Sequence, residues 1–167
     1  VIGILTIHVD DSFICGTPDF LKFLTNRLST DFKVGSLDTN DIAFVGQRVK
    51  WINKSSKDRT KKYIQVDQDV KIEELEEIVY DTNLPKETPC TPDLHRQFRS
   101  VLGQINWLQS RTQYHSCYLF SRSASAAASP TLHDITELNK LVRKIRAGHQ
   151  LELITLRFWP LQGAVRI

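Results

Sequence analysis

Two adjacent carboxylates stand between two apolar runs near the start of the chain. Ile2–Val9 is rich in β-branched residues and predicts a buried strand, and Ser12–Cys15 predicts its antiparallel return. Asp10 and Asp11 then occupy the tight turn, where aspartate is common. Two neighbouring acids repel each other, and Mg²⁺ relieves that repulsion because it binds hard carboxylate oxygens. The pattern indicates a magnesium site at a hairpin tip, with a solvated turn as the alternative.

The element that follows the hairpin is predicted to be a helix. Thr17 is the expected N-cap, Pro18 fits the first helical position, and Asp19 suits the positive end of the helix dipole. The apolar residues that recur at helical spacing, and are expected to face the core, are Phe20, Leu21, Leu24, Leu28 and Phe32. This helix is the predicted support for the hairpin.

A basic segment follows in the predicted second part of the sheet. Ile42–Trp51 predicts a strand, in which Gly46 indicates a bulge or a close backbone approach, and Tyr63–Val66 predicts the returning strand. The basic residues of this segment are Arg48, Lys50, Lys54, Lys57, Arg59, Lys61 and Lys62. Together with Trp51 they could follow a phosphate backbone and stack on a base. A solvated charged face is the alternative.

The second half of the chain predicts helices. Asp69 is expected to begin a helix that runs to Tyr80, with Ile72, Leu75, Ile78 and Val79 inward. Residues 83–92 are proline-rich and predict a connector. Further helices are expected from Thr91, over 114–128, and after Thr131. The residues expected to face the core are Leu94, Phe98, Val101, Leu102, Ile105, Leu108, Leu132, Ile135, Leu138, Leu141, Val142 and Ile145. Amphipathic helices after a sheet predict an α+β fold.

The hairpin at Ile4–Cys15 resembles the active-site hairpin of reverse transcriptases, whose usual form is Tyr-x-Asp-Asp between hydrophobic strands. The resemblance continues in the order seen in copia-type (Pseudoviridae-like) LTR retrotransposon polyproteins. Phe44–Gly46, Phe98–Leu108 and Leu119–Arg122 are similar to that family's Phe-x-Gly, "YRSLVGSLMYL" and "LLSR" segments. The match covers most of residues 2–147. The chain departs from the family at His8, where Tyr is usual, and at residues 110–113, where "TRPD" is usual.

The resemblance implies the C-terminal palm and thumb portion of such an enzyme. Residues 1–68 would form a partial polymerase palm, an antiparallel sheet with a helix, which carries the active-site hairpin and a primer-grip-like hairpin. Residues 69–150 would form a helical thumb or connection module, and residues 151–167 would begin a linker toward an absent RNase H domain. The implied reaction is two-metal nucleotidyl transfer by an RNA-directed DNA polymerase that uses Mg²⁺ or Mn²⁺.

The resemblance also implies residue roles. Asp10 is the expected direct metal ligand, and Asp11 is supporting or transient. Lys33 is a possible general acid toward pyrophosphate, with a solvated lysine at a helix end as the alternative. The residues implied to contact the template–primer are Phe44, Gly46, Arg48, Lys50, Trp51, Lys54 and Arg99. Arg143, Lys144 and Arg146 are further duplex contacts, or complements to a helix dipole.

The implied partners are an RNA or DNA template–primer, dNTPs and the remaining parts of the polyprotein, without a membrane. The family's third catalytic acid and its fingers are expected upstream of Val1, so the chain alone is expected to be inactive and to expose an apolar strand edge. One alternative is a decayed transposon remnant that only binds nucleic acid or has a structural role. The other is an unrelated α+β metal-binding or hydrolase domain.

Composition is compatible with these expectations but does not select among them. The 167 residues can form one substantial core or two small ones, and the net charge of +3 permits a nucleic-acid partner. No apolar run reaches the ~20 residues of a membrane span, and the first residues resemble neither a signal peptide nor a natural start. The three cysteines are scattered, which argues against zinc and favours an intracellular location, in a cytoplasmic particle or the nucleus.

Overall fold

A computed structural model of the chain describes residues 2–53, 62–148 and 154–157, and it is mixed α+β. The strands are β1 (Gly3–His8), β2 (Asp11–Gly16), β3 (Asp41–Phe44), β4 (Gln47–Asn53), β5 (Lys62–Asp67) and β6 (Ile154–Arg157). The helices are α1 (Pro18–Asp31), α2 (Asp69–Glu73), α3 (Pro92–Gln109), α4 (Cys117–Ser125) and α5 (Leu132–Gly148). A 3-10 turn, Tyr114–Ser116, precedes α4.

The chain divides into two compact units. The first holds the described residues up to 65 together with residues 155–157, and the second holds residues 66–148 and 154. Of the predicted terminal linker, only residues 154–157 are described, and they form β6. Cys15, Cys90 and Cys117 are free thiols. Within the described ranges, no helix has both the length and the apolar character that crossing a membrane requires.

The first unit begins with the predicted hairpin, which is confirmed. β1 and β2 pair antiparallel, with Gly3 opposite Gly16 and His8 opposite Asp11. α1 lies against the base of this hairpin through Phe20. A Cβ atom at Gly3 would come within 2.0 Å of the Phe20 ring, and one at Gly16 within 2.6 Å. Glycine at both positions therefore permits the close approach that fixes the helix against the strands.

The prediction that β1 is buried is wrong. Ile4 and Ile7 are 61% and 65% exposed, because β1 and β2 form a two-stranded sheet in which β1 has one strand neighbour.

The Thr17 cap of α1 is confirmed, since its hydroxyl accepts a hydrogen bond from the Phe20 N–H at 3.4 Å. The predicted core-facing stripe of α1 is only half covered, and Phe32 is 67% exposed. A narrow hairpin covers only part of one helix face.

The second sheet has the strand order β3-β4-β5-β6. The prediction of a single strand over Ile42–Trp51 is wrong, because the chain reverses between β3 and β4, where Phe44 lies opposite Gln47. Val45 and Gly46 both have positive φ, 49° and 67°, which is typical of a type I′ hairpin turn. Gly46 therefore serves the turn rather than a bulge. The predicted strand over residues 63–66 is confirmed as β5.

The second unit contains the main core of the described residues. α3 and α5 supply most of it, and the apolar stripes predicted for both helices are confirmed except at Leu94, which is half-buried. The buried apolar residues are Ile72, Leu75, Ile78, Phe98, Val101, Leu102, Ile105, Leu108, Leu132, Ile135, Leu138, Leu141, Val142 and Ile145. Thr91 caps α3, as predicted, by accepting a hydrogen bond from the Leu94 N–H.

The prediction of one helix from Asp69 to Tyr80 is wrong, because α2 ends at Glu73. Beyond the end of α2, the side-chain amide of Asn139 forms hydrogen bonds with both the N–H and the carbonyl of Ile78. The Ile78 N–H donates to Asn139 Oδ1 at 2.9 Å, and Asn139 Nδ2 donates to the Ile78 carbonyl at 2.8 Å. These bonds satisfy an extended backbone that would otherwise lack partners in the core. Ile78 remains inward as expected, whereas Val79 is 87% exposed, contrary to its prediction.

The prediction of one helix over residues 114–128 is also wrong. The chain forms the 3-10 turn and then α4, which ends at Ser125, and turns follow before α5. The expected break and new start near Thr131 are confirmed. The N–H and the hydroxyl of Thr131 both donate to Asp134 Oδ2, at 2.8 Å each. This pair of bonds satisfies groups at the start of α5 that helix geometry leaves without partners.

Candidate metal and nucleic-acid site

The two candidate metal ligands lie at the tip of the first hairpin. Val9 and Asp10 form its two-residue loop, and Asp11 begins β2; all three are exposed. The predicted turn position is therefore confirmed for Asp10 and wrong for Asp11, which pairs with His8 in the strand register. Val9 has φ of 54° and is 81% exposed. A β-branched residue in the left-handed region costs about 1–3 kcal/mol, and such strain clusters at functional sites. Here the two-residue loop accounts for the positive φ, because type I′ and II′ hairpin turns need it at their first position, as Val45 has in the β3–β4 turn. The feature that favours a functional role for the tip is its pair of adjacent exposed acids, Asp10 and Asp11.

The pleat of the hairpin places Asp11 on a defined face. Side chains alternate along a strand, so Asp11 shares its face with Phe13 and with its cross-strand partner His8. The Phe13 ring lies 5.7 Å, centroid to centroid, from the Phe44 ring of β3. The structure therefore brings the Phe44–Gly46 hairpin to the face that carries Asp11. Phe44 is half-buried in this contact.

The donor set at the tip is small. Among residues 2–53, 62–148 and 154–157, no group of three or more His, Cys, Asp or Glu side chains could hold a metal ion. Asp10 and Asp11 alone offer hard oxygen ligands, which suit Mg²⁺ or Mn²⁺. Mg²⁺ keeps several waters and is commonly bound by one or two carboxylates together with substrate phosphates. The pair fits a shared site of that kind and does not fit a closed structural site.

Arg48 is the best-defined basic residue of the predicted nucleic-acid contacts. Its guanidinium donates from Nε and Nη2 to the two carboxylate oxygens of Asp41, at 2.7 and 2.6 Å. These hydrogen bonds lower the pKa of the Asp41 carboxyl, and the charges of Arg48 and Lys50 act in the same direction. Lys50 lies opposite Asp41 in the β3–β4 register. Asp41 therefore fixes the orientation of the arginine fork on an exposed strand pair.

This pairing predicts a pH dependence. A carboxyl with a depressed folded-state pKa contributes stability above its unfolded value, and that contribution is lost as the pH falls through the folded pKa. We expect the Asp41 titration, followed by NMR, to lie below the ordinary value of 3.8. Arg48→Ala should raise it toward that value. An Asp41 midpoint that does not change in Arg48→Ala would contradict the pairing in solution.

The other predicted site residues are placed as follows. Gly46 is in the β3–β4 turn, Trp51 is 40% exposed on β4, and Lys33 is exposed just after α1. Lys54 and the remainder of the basic loop, residues 54–61, lie outside the described residues. Arg99 is exposed on α3, in the second unit. In that same unit, Arg143 pairs with Glu77.

One exposed surface of α3 contains candidate contact residues of which only Arg99 was predicted from the sequence. Gly103 lies in the middle of this helix, exposed, and a Cβ atom there would meet nothing within 4 Å. Glycine in a helix interior costs about 1 kcal/mol relative to alanine. Among the residues that the structure describes, no packing contact explains this cost. A glycine with open space above it fits the close approach of a bound molecule.

The surroundings of Gly103 have the chemistry of a nucleic-acid contact. A groove of about 520 Å³ is lined by Lys71, Glu74, Ser100, Gly103, Gln104, Trp107 and Leu108. Trp107 is 36% exposed, and the Arg111 guanidinium lies 4.9 Å from its ring centroid. Arg99 and Trp107 stand four residues before and after the glycine, so they share its side of the helix. We call this group, Arg99, Gly103, Trp107 and Arg111, the α3 surface.

The sequence contains a signal that could have identified the α3 surface. Gly103 interrupts the polar side of an otherwise regular amphipathic helix, and an arginine and a tryptophan flank it at four-residue spacing. Arg99 alone was predicted to contact nucleic acid. The partial exposure of Trp107 depends on tertiary packing, which the helical pattern does not provide. No protein-family model, curated protein or solved structure matches the chain.

Proposed function

We propose that the chain is part of an RNA-directed DNA polymerase, a reverse transcriptase of the copia-type retrotransposon class, and contributes the metal-binding hairpin of its active site. The observation that carries the proposal is the adjacency of two exposed acids at the hairpin tip, Asp10 in the two-residue loop and Asp11 at the start of β2. Two adjacent exposed acids at one tip suit a function that needs both charges at one point.

The residues of the first unit support distinct roles in this reaction. A bound pair of Mg²⁺ ions would activate a primer 3′-hydroxyl and stabilise the pyrophosphate leaving group. Asp10 and Asp11 would supply carboxylate oxygens to those ions. Phe44 and Gly46 are on the hairpin that packs against the Asp11 face through Phe13, where they would position the primer end. A two-metal site needs more ligands than two carboxylates. We therefore propose that this hairpin supplies part of the ligand set.

The α3 surface supports the nucleic-acid part of the proposal. Its arginines supply positive charge for phosphates, and its indole, with the Arg111 guanidinium over the ring at 4.9 Å, offers an exposed apolar edge to a sugar. Gly103 leaves room for a backbone to lie close to the helix. These features suit a double-stranded template–primer, which presents phosphates and sugars along a regular groove. The second unit therefore has a proposed duplex contact of its own.

Manganese titration observed by NMR tests the metal part of the proposal. Paramagnetic Mn²⁺ should selectively broaden the amide resonances of residues 9–12. Asp10→Asn should abolish this broadening, and Asp11→Asn should weaken it, because each loses a carboxylate charge without losing its size. Asp38→Asn removes an equally exposed acid of the following loop and should leave the broadening unchanged.

Two results would decide against the proposal. Broadening spread equally over all exposed acids would show that the hairpin tip has no preference for the ion. Salt-sensitive duplex binding that persists without any such broadening would favour the alternative of a remnant that binds nucleic acid only.

A further inference from the structure

The described residues contain a second positively charged region, in the cleft between α4 and α5. The cleft has a volume of about 390 Å³, and both of its walls belong to the second unit. The charged residues that line it are Arg122, His133, Asp134, Glu137, Lys140 and Lys144. On α5 the residues at 133, 137, 140 and 144 follow one helix face, so their side chains form a continuous polar stripe that contains two lysines and one acid.

The two acids of the cleft are already engaged. Lys140 Nζ donates to Glu137 Oε1 at 2.6 Å, and this bond lowers the pKa of Glu137. The charges of Lys140, His133 and Arg122 lower it further, which places these cations around one carboxylate. Asp134 accepts two hydrogen bonds from Thr131 at the start of α5. Among the described residues that line the cleft, Arg122 and Lys144 are the basic side chains that form no salt bridge with these acids.

An exposed aromatic residue adjoins these cations. Tyr118 is 75% exposed and precedes Arg122 by four residues on α4, so both lie on the same side of that helix. Exposed tyrosine beside a groove of cations is the combination that binds single-stranded nucleic acid, with phosphates on the charges and a base on the ring. A duplex keeps its base faces stacked inside, and an acidic peptide has no base to stack.

We propose that the α4–α5 cleft binds single-stranded nucleic acid, with Arg122 and Lys144 on phosphates and Tyr118 stacked on a base. The site goes beyond the proposed polymerase function and does not depend on metal at the hairpin. Arg122 and Lys144 come from different helices, so a strand would lie along the cleft between them. The length of the α5 stripe, about 16 Å at 1.5 Å per residue, accommodates a few nucleotides.

Fluorescence anisotropy with a labelled oligothymidylate of about 12 nucleotides tests this proposal on the full chain. Tyr118→Ala should weaken binding roughly tenfold, whereas Tyr118→Phe, which keeps the ring, should bind like the natural chain. Arg122→Ala and Lys144→Ala should each reduce the slope of log affinity against log salt by about 0.7. Lys22→Ala, which removes an exposed charge from α1, is the matched control and should show no such reduction.

A crosslinking experiment separates this cleft from other basic surfaces. An oligonucleotide that contains 4-thiothymidine should crosslink at Tyr118, and Asp10→Asn with Asp11→Asn should leave the crosslink unchanged. The proposal is overturned if Tyr118→Ala binds as tightly as the natural chain. It is equally overturned if a duplex or polyglutamate displaces the oligothymidylate better than unlabelled single strand does, since the cleft would then serve one of those partners.

Discussion

Asn139→Ala is expected to lower the free energy of unfolding of the second unit by about 2–6 kcal/mol. Asn139 is 6% exposed, and its side-chain amide is the partner of both the N–H and the carbonyl of Ile78. The substitution leaves two backbone groups in the core without hydrogen bonds, at about 1–3 kcal/mol each. The loss should also loosen the segment that follows α2, which contributes Glu74 to the groove beside the α3 surface.

Urea unfolding followed by circular dichroism measures this effect. Asn139→Asp keeps the acceptor and loses the donor, so it should also be destabilising. Asn106→Ala is the matched control, because Asn106 is an exposed helical asparagine whose amide oxygen accepts from Gln109 Nε2, and it should change stability by less than about 0.5 kcal/mol. Equal stabilities of Asn139→Ala and Asn106→Ala would show that the Ile78 bonds do not hold this segment.

Gly103→Ala is expected to change stability and binding in opposite directions. The alanine should raise the free energy of unfolding by about 1 kcal/mol, because it removes the helix cost of glycine and its Cβ meets no described atom within 4 Å. The same methyl group should hinder the close approach of a duplex. Gly103→Leu should weaken duplex binding tenfold or more, which corresponds to about 1.4 kcal/mol.

The measurements are urea unfolding and the dissociation constant for a labelled template–primer. Gly35→Ala is the matched control, since Gly35 is in a loop and a Cβ atom there also meets nothing within 4 Å. It should leave duplex binding unchanged. A Gly103→Leu variant that binds the duplex as tightly as the natural chain would remove the α3 surface from the account.

Elements whose pattern is local could be predicted from the sequence. The stripes of α3 and α5, the Thr17 and Thr91 caps and the turn at Asp10 depend on residues close together in the chain. The non-helical segment after α2 is bonded at Ile78 by Asn139, 61 residues away along the chain, and no local pattern contains that contact. The β3–β4 turn was missed because Val45-Gly46 lacks the Asn-Gly or Asp-Gly sequence that usually marks a type I′ turn.

Some features of the candidate site likewise depend on neighbouring residues, and others depend on contacts between distant parts of the chain. The adjacency of Asp10 and Asp11 is a property of the sequence, and the turn position of Asp10 followed from the flanking apolar runs, whereas Asp11 begins β2 because the hairpin register places the loop one residue earlier. The contact that brings Phe44 to the Asp11 face is made by Phe13, across more than thirty residues, and no pattern in either strand predicts it. The pairing of Arg48 with Asp41 likewise required the hairpin register.

Iron-mediated cleavage of a bound template–primer tests the central claim most directly. Fe²⁺ added in place of Mg²⁺, with ascorbate and peroxide, generates hydroxyl radicals that cut nucleic acid beside the bound ion. The account predicts cuts concentrated at the primer 3′ end, which disappear when Asp10→Asn and Asp11→Asn are combined although the duplex remains bound. Cuts distributed evenly along the strands, or an unchanged pattern in that double variant, would contradict it.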